Sequence, residues 1–307
     1  MQAADSSNCL FAGTRVLLAE DNATNQIVGA MILRNLGCLV DVAANGREAV
    51  ERVDAFLYDI VFMDCEMPEM DGFEATAAIR HRPDSKSRLP VIAITAQAMQ
   101  GDRERCLRAG MDDYISKPVK PEDFAAALKR WMPGREQGQE SEAPPPAARH
   151  EKMVAESIQD HFPPAVSSSL PVSSPLSMSS ASSALNAEVV ARLRSLAEAT
   201  DPSLITQIFT SFLRDGAERI DALKGALAGR DMELLYKTAH AIKGASASIG
   251  AHSMADVAQK LEFAGKAGDM SGAVTLMEQI EMEFGRVRRE ITQSDSHCVS
   301  LPAATRS

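Results

Sequence analysis

Residues 61–76 read VFMDCEMPEMDGFEAT, in which an apolar run ends at an aspartate and is followed by a proline turn and a helical pattern. Apolar runs that predict strands occur five times, at Arg15–Glu20, Leu39–Ala43, Ile60–Asp64, Val91–Thr95 and Tyr114–Ser116. Helical patterns lie between and after them, at Asn25–Leu36, Gly46–Asp54, Gly72–Arg82, Gln100–Ala109 and Pro121–Trp131. Short apolar strands that alternate with helices are typical of a parallel sheet covered on both faces. Residues 13–133 are therefore predicted to form a five-stranded, doubly wound α/β domain.

The composition of the whole chain limits the classes of function. The 307 residues, of which 45% are hydrophobic, are enough for about two domains. The formal net charge is −10, whereas nucleic-acid binding requires a basic surface. Five cysteines without paired spacing favour reduced thiols and a cytoplasmic location. No apolar run reaches the roughly 18 residues of a membrane helix, and no signal-peptide pattern opens the chain, so membrane insertion is not expected.

After the α/β domain the sequence changes character twice. Residues 134–184 are rich in Ser, Pro and Ala, lack a helical or strand period, and predict a flexible linker with at most a transient helix at Glu151–Asp160. From residue 185 to residue 293 every periodic segment is helical. The predicted helices run from Asn186 to Ala199, from Pro202 to Ala228 with Gly229 closing, from Met232 to Ala247, from His252 to Ala267 and from Ser271 to Thr292. Their short connections predict an all-α four-helix bundle, and residues 294–307 are predicted to be a disordered tail.

Polar side chains stand at four strand ends of the α/β domain. Glu20 and Asp21 end the first strand, Asp64 ends the third, Thr95 ends the fourth, and Lys117 follows the fifth. The carboxyl ends of parallel strands meet at one edge of an open sheet, where this fold class places its chemistry. Three carboxylates at one point repel one another, so a divalent cation, Mg²⁺, is the expected neutraliser. A carboxylate beside such an ion is a competent nucleophile for phosphoryl transfer, and the ammonium and hydroxyl can hold the phosphoryl oxygens.

The stretches that carry these residues resemble the motifs of response regulator receiver domains. They are VLLAEDN (16–22), VFMDCEMPEMDGFEAT (61–76), VIAITA (91–96) and DYISKP (113–118). The resemblance implies a flavodoxin-like fold in which Asp64 is the phosphoacceptor. It also implies that Asp21 and Asp64 are direct ligands of Mg²⁺, that Glu20 binds it through water, and that the Glu66 carbonyl is a further ligand.

The same resemblance implies a signalling switch. Thr95 is expected to move toward the phosphoryl group, and Tyr114 to rotate into the space that it leaves. The Lys117-Pro118 peptide is expected to be cis. One departure from the family pattern is that Glu20-Asp21 stands in place of the commoner pair of aspartates, which leaves the metal site intact.

A second candidate site lies in the third helix of the bundle. His240 sits off the apolar stripe of that helix, so it is predicted to face solvent, with Lys243 at i+3 and Gly244 at i+4 on the same face. An exposed imidazole can accept a phosphoryl group, an ammonium can offset the charge, and a glycine leaves room for a partner. The stretch AHAIKGASASIGA (239–251) resembles the histidine phosphotransfer (Hpt) motif, which implies that His240 is a phosphorylated histidine.

A receiver followed by an Hpt bundle resembles the C-terminal half of hybrid sensor histidine kinases. The leading hypothesis is a phosphorelay intermediate that accepts phosphate on Asp64 from a sensor histidine kinase and passes it through His240 to a downstream response regulator. No segment has the pattern of an ATP-binding kinase domain, so whether the chain is an enzyme beyond Mg²⁺-dependent phosphotransfer stays open. The alternatives are a phosphorylation-controlled docking protein and a phosphate sink. A phosphohydrolase of the haloacid-dehalogenase kind also forms an aspartyl phosphate. It requires a second aspartate two residues after the nucleophile, and Glu66 occupies that position here, which disfavours this alternative.

Overall fold

The computed structural model describes residues 10–95, 100–133 and 183–298, without the side chains of 100–103 and 294–298. The predicted linker up to residue 182, the helical pattern at Glu151–Asp160 and the tail from residue 299 lie outside the described residues. In the described part of the chain, no helix is both long enough and apolar enough to cross a membrane.

The first domain is built on a five-stranded parallel sheet, as predicted. The strands are β1 (Arg15–Ala19), β2 (Leu39–Ala43), β3 (Ile60–Asp64), β4 (Val91–Thr95) and β5 (Asp113–Ser116). Their order across the sheet is β2-β1-β3-β4-β5, and every neighbouring pair is parallel. The connection order reverses between β1 and β3, which is the switch point where doubly wound sheets bind their ligands. Glu20 follows β1 directly and Asp64 is the last residue of β3, so both lie at this point.

Helices cover both faces of the sheet. They are α1 (Ala23–Asn35), α2 (Gly46–Ala55), α3 (Gly72–Arg80), α4 (Gln100–Arg108) and α5 (Pro121–Trp131). Successive strand residues point to opposite faces, so Val16 and Leu18 join a core with α1 and α5, whereas Leu17 joins a second core with α2, α3 and α4. On the first face Phe62 meets Phe124 edge to face at 4.8 Å. The double coverage accounts for the continuous apolar runs of the strands.

The C-terminal domain consists of α6 (Ala187–Thr200), α7 (Ser203–Gly229), α8 (Met232–Ser248), α9 (His252–Ala267) and α10 (Met270–Cys298). The four helices α7 to α10 pack in a closed cycle, each against the next and α10 against α7, which forms the predicted four-helix bundle. Helix α6 is a fifth helix that packs on α7 and on the first domain. Helix α10 continues to Cys298, beyond the end predicted at Thr292.

Two helix boundaries differ from the prediction for local reasons. Pro202 was expected inside α7 but lies just before it, and its neighbour Asp201 accepts a hydrogen bond from the Ser203 N–H at 2.9 Å. Gly229 was expected to close α7, but the residue with left-handed backbone geometry is Arg230, with φ 55°. The N–H of Asp231 then donates to the Ala226 carbonyl at 2.8 Å, which closes the helix without a glycine.

The two domains are packed against each other. Helix α1 of the first domain contacts α6, α7 and α8, and the apolar core on its side of the sheet is continuous with the core of the bundle. At the rim, the Ser248 hydroxyl donates to Asn25 Oδ1 at 2.8 Å, and the Asn22 amide donates to the Ala241 carbonyl at 3.4 Å. These contacts hold α8 over the carboxyl edge of the sheet.

Candidate functional site

The structure brings the predicted acidic residues together. One carboxylate oxygen from each of Glu20, Asp21 and Asp64 lies within 4.8 Å of the others. Glu20 and Asp64 are buried, with 3% and 2% of their surface exposed. Asn25 supports the cluster from α1, because its amide donates to Glu20 Oε1 at 3.0 Å. Three carboxylates therefore share one buried site at the switch point of the sheet.

Lys117 supplies a cation to this cluster. Its Nζ lies 2.5 Å from Asp64 Oδ2 and 2.8 Å from Glu20 Oε2, and its side chain is 12% exposed. The Lys117-Pro118 peptide is cis, as expected. Thr95 is buried at the end of β4, where its carbonyl accepts a hydrogen bond from the Lys117 N–H at 2.7 Å. Tyr114 is half-buried on β5, where it pairs with Ala93 of β4, two residues before Thr95.

Burial and mutual repulsion set the charge state of these groups. Burial raises the pKa of Asp64 well above its ordinary value, and the carboxylates of Glu20 and Asp21 raise it further, while Lys117 opposes the rise. Burial and Glu20 also raise the pKa of Asp21. The pKa of Lys117 is raised despite its burial, because Asp64 and Glu20 stabilise the ammonium. One ammonium faces three carboxylates, so negative charge remains uncompensated.

This donor set fits a divalent cation with oxygen ligands. A cation would offset the negative charge that raises the carboxylate pKa values, and carboxylates with a backbone carbonyl are the ligands that such ions prefer. The Glu66 N–H donates to Asp64 Oδ1 at 3.2 Å, so the loop after β3 bends around the Asp64 carboxylate. The three clustered carboxylates therefore fit a divalent cation.

His240 does not face solvent, contrary to the prediction. Its side chain is only 12% exposed, and its Nε2 lies 3.4 Å from Glu66 Oε2, in the loop that follows β3 of the first domain. The prediction treated the bundle as an isolated domain and so counted its docked face as free. Lys243 shares the covered face with a side chain that is 14% exposed. A Cβ added at Gly244 would lie 3.4 Å from the Asn25 amide nitrogen, so a methyl group would just fit here and a larger side chain would displace Asn25.

A buried glutamate that the sequence analysis missed fixes the imidazole. Glu262 of α9 is 2% exposed, and its carboxylate contacts His240 Nδ1 at 3.3 Å, Lys243 Nζ at 2.6 Å and Lys266 Nζ at 3.0 Å. These three partners lower the pKa of Glu262 although burial raises it. The signal in the sequence is a charged residue four positions after the buried Ala258, on the apolar stripe of α9.

The acidic cluster and the histidine open into one cavity of about 850 Å³ between the domains. Asp64 and Lys117 line one side, and His240 and Lys243 line the other. Most of the charged residues on the sheet side are carboxylates, whereas the bundle side carries Lys237 and Lys243 with one acidic residue, Asp256.

Known proteins contain both parts of this arrangement. The family model for the response regulator receiver domain matches residues 16–129, and the model for the Hpt domain matches residues 207–290. The chain is 27% identical to the sensor histidine kinase GacS of Pseudomonas protegens over 280 residues, which are 90% of this chain and 27% of GacS. It is 44% identical to hybrid signal transduction histidine kinase B of Dictyostelium discoideum over 120 residues, which are 36% of this chain and 6% of that protein.

A solved structure with a similar sequence is the receiver domain of a sensor histidine kinase from Pseudomonas aeruginosa with magnesium coordinated in its active site cleft. It is 46% identical and covers 39% of this chain and 98% of that one, with a TM-score of 0.37. Residues 16–129 form a response regulator receiver domain, and residues 207–290 form an Hpt domain, two domain types of two-component signalling. The relatives of this chain are hybrid histidine kinases such as GacS, of whose length it spans less than a third.

Proposed function

We propose that this chain is a phosphorelay intermediate in which a phosphoryl group passes between Asp64 and His240. The observation that carries the proposal is the shared cavity: the buried carboxylate of Asp64 and the imidazole of His240 line the same space between the receiver and the Hpt bundle. The leading direction is from Asp64 to His240. The domain pair and the hybrid kinase relatives support this function.

Asp64 is the proposed phosphoacceptor. Asp64 and Asp21 would hold Mg²⁺ directly, Glu20 would hold it through water, and the Glu66 carbonyl would be a further ligand. When bound, Mg²⁺ supplies positive charge that neutralises the carboxylates and the phosphoryl oxygens. Lys117 already bonds Asp64 Oδ2 at 2.5 Å, so its ammonium is placed to bind an oxygen of the phosphoryl group.

His240 is the proposed second acceptor, and Glu262 and Lys243 prepare it. Glu262 accepts a hydrogen bond from Nδ1–H, which leaves the lone pair on Nε2 as the nucleophile. In the transfer step, the bond between phosphorus and the Asp64 oxygen breaks, a bond from phosphorus to Nε2 forms, and Asp64 leaves as a carboxylate. The Nδ1 proton stays between the ring and Glu262. Lys243 lies on the same face of α8, where its charge favours the phosphorylated state, and Gly244 leaves room for the receiver.

Thr95 and Tyr114 form the proposed switch. Both lie on the last two strands, beside Lys117, so a phosphoryl group on Asp64 would draw the Thr95 hydroxyl toward it. Tyr114, half-buried on β5 and paired with Ala93 two residues before Thr95, would then turn inward. This rearrangement would report the phosphorylation state on the face formed by α4 and β5.

The proposed partners follow from the two domain types. A sensor histidine kinase would supply the phosphoryl group to Asp64, and the receiver of a downstream response regulator would accept it from His240. Receiver and Hpt domains exchange phosphoryl groups only in contact with each other. A downstream receiver therefore needs the face of α8 that carries His240.

A docking function is the second candidate, and the packed interface favours it. The receiver of this chain covers the face of α8 that carries His240. It does so through apolar contacts of α1 and through the hydrogen bond from the Ser248 hydroxyl to Asn25. A receiver that controls access to the bundle according to its phosphorylation state would use the same contacts without passing phosphate to His240.

Labelling with radioactive acetyl phosphate and Mg²⁺ separates the two functions. Label on histidine is stable to alkali, whereas label on aspartate is not. The relay predicts alkali-stable label on the wild type, none on Asp64→Asn, and only alkali-labile label on His240→Gln. Label on Asp64 that never reaches His240 would reject the relay and leave the docking function.

A further inference from the structure

Tyr236 forms a contact across the domain interface that the phosphotransfer step does not require. It lies one helical turn before His240 on α8, and its hydroxyl donates to Glu66 Oε2 at 3.0 Å. The same carboxylate oxygen lies 3.4 Å from His240 Nε2. The rings of Tyr236 and His240 meet edge to face, with 6.3 Å between their centroids. The Glu66 carboxylate thus contacts both His240 and Tyr236.

The tyrosine ring is held in place from the side of α9. Lys266 Nζ lies 4.5 Å from the centre of the ring, in the geometry of a cation–π contact. A Cβ added at Gly265 would lie 3.1 Å from the Tyr236 backbone, so the glycine lets α9 approach α8 at this level. The Lys266 ammonium also bonds Glu262, which fixes the imidazole of His240. The hydroxyl is therefore presented to the receiver by a preorganised set of side chains.

Asp64 fixes the position of Glu66, which accepts the hydrogen bond from the Tyr236 hydroxyl. Glu66 follows Asp64 by two residues, and its N–H donates to Asp64 Oδ1 at 3.2 Å. Any receiver that brings its phosphoaccepting aspartate opposite His240 brings the residue two positions later to Tyr236. An aliphatic residue there would leave the hydroxyl without its acceptor, and a basic residue would face Lys237 and Lys243, which line the same cavity.

We propose that Tyr236 is a specificity residue, which selects receivers that carry a carboxylate or another hydrogen-bond acceptor two residues after the phosphoaccepting aspartate. The inference rests on the proposed transfer between Asp64 and His240. Tyr236 acts by positioning, because the phosphoryl group does not pass through it. For this chain, the selected receiver is its own, with Glu66 at that position.

The test uses full-length chains in donor and acceptor pairs. The donor carries His240→Gln and is phosphorylated on Asp64 with acetyl phosphate and Mg²⁺, and the reagent is then removed. The acceptor carries Asp64→Asn and an intact His240. The rate of transfer is measured for a donor with Glu66 and for a donor with Glu66→Leu. For each acceptor, the rate with the Glu66 donor is divided by the rate with the Glu66→Leu donor, and this ratio measures the specificity of that acceptor. An effect of the acceptor substitution on folding or on the docking of its own domains changes both rates equally and so cancels in the ratio.

The proposal predicts a ratio of about 5 to 20 for an acceptor with Tyr236, since a hydrogen bond to a charged group is lost with Glu66→Leu. For an acceptor with Tyr236→Phe the ratio should fall to about one-third of that value or less. The donor variant Glu66→Gln, which keeps an acceptor oxygen, should restore most of the wild-type rate. Tyr58→Phe is the matched control, because Tyr58 also donates to a carboxylate, Asp41 Oδ2 at 2.8 Å, but does so away from the interface. An acceptor with Tyr58→Phe should give the same ratio of donor rates as the acceptor with Tyr236 and Tyr58 intact.

Two failures are distinguishable. If the donor with Glu66 transfers to no acceptor and the wild-type chain also gains no alkali-stable label, the proposed phosphotransfer itself is wrong. If transfer occurs but the ratio is the same with Tyr236 and with Tyr236→Phe, the relay stands and Tyr236 is not a specificity residue.

Discussion

Replacing Glu262 by glutamine tests the buried network behind His240. Glu262→Gln keeps the shape and one acceptor oxygen but removes the negative charge that faces Lys243 and Lys266. Lys266 is 43% exposed, so water screens much of its contribution, whereas Lys243 is only 14% exposed. Breaking a well-buried ion pair costs about 3–5 kcal/mol, and the retained hydrogen-bond acceptor reduces this, so the expected loss is about 2 kcal/mol of unfolding free energy at pH 7.

The direction of the Glu262 pKa shift determines how the stability difference between wild type and Glu262→Gln changes with pH. The pKa of Glu262 is lower in the folded protein than in the unfolded chain, because His240, Lys243 and Lys266 stabilise the carboxylate. Its contribution to stability is therefore complete above the unfolded pKa of about 4.3 and is lost as the pH falls below that value toward the folded pKa. The difference between wild type and Glu262→Gln should be full at pH 7 and should shrink below about pH 4.

Urea unfolding at pH 7 and at pH 3.5 measures this difference. Circular dichroism reports the helices of both domains, and the fluorescence of Trp131, the chain's single tryptophan, reports the receiver alone. Equal stabilities of the two proteins at pH 7, or a difference that grows as the pH falls, would refute the assigned role of the carboxylate.

The remaining predictions concern the metal site, the cation beside it and the interface glycine. Mg²⁺ at about 100 times its dissociation constant should stabilise the wild type by about 2.7 kcal/mol, and Asp21→Asn should lose most of this gain; equal gains in thermal unfolding would exclude Asp21 as a ligand. Lys117→Met should slow the labelling of Asp64 by acetyl phosphate about 100-fold or more, and an unchanged labelling rate would remove Lys117 from the site. Gly244→Leu should slow transfer to His240 more than tenfold, because the side chain would displace Asn25, which accepts a hydrogen bond from Ser248 across the interface and donates one to Glu20. Transfer at the wild-type rate would show that α1 does not need this close approach.

Much of the receiver site was predictable because its residues stand at strand ends. In a parallel sheet the chain itself brings Glu20, Asp64 and Lys117 to one edge, so the position of each in the sequence fixes its position in the site. The family resemblance then added a role for each residue. The helix boundaries were also close, since caps such as Asn186 and Asp231 are short-range signals.

The environment of His240 was not predictable in the same way. Whether a helical face is solvent-exposed depends on what packs against it, and the pattern of α8 alone did not show that α1 and the loop after β3 cover it. Glu262 was missed because its partners lie on another helix or on the next turn of its own. The interface pair Tyr236 and Glu66 is separated by the whole linker, so no local pattern connects them.

The most direct test of the account is whether the two sites of one chain exchange the phosphoryl group within the packed domains. Wild-type chain and an equimolar mixture of Asp64→Asn and His240→Gln chains are labelled with acetyl phosphate over about a hundredfold range of dilution. Transfer within one chain is independent of concentration, whereas transfer between chains is not. The account predicts that the alkali-stable fraction of the label stays constant for the wild type and falls for the mixture. If both fractions fall together on dilution, the shared cavity between Asp64 and His240 is not the route of transfer.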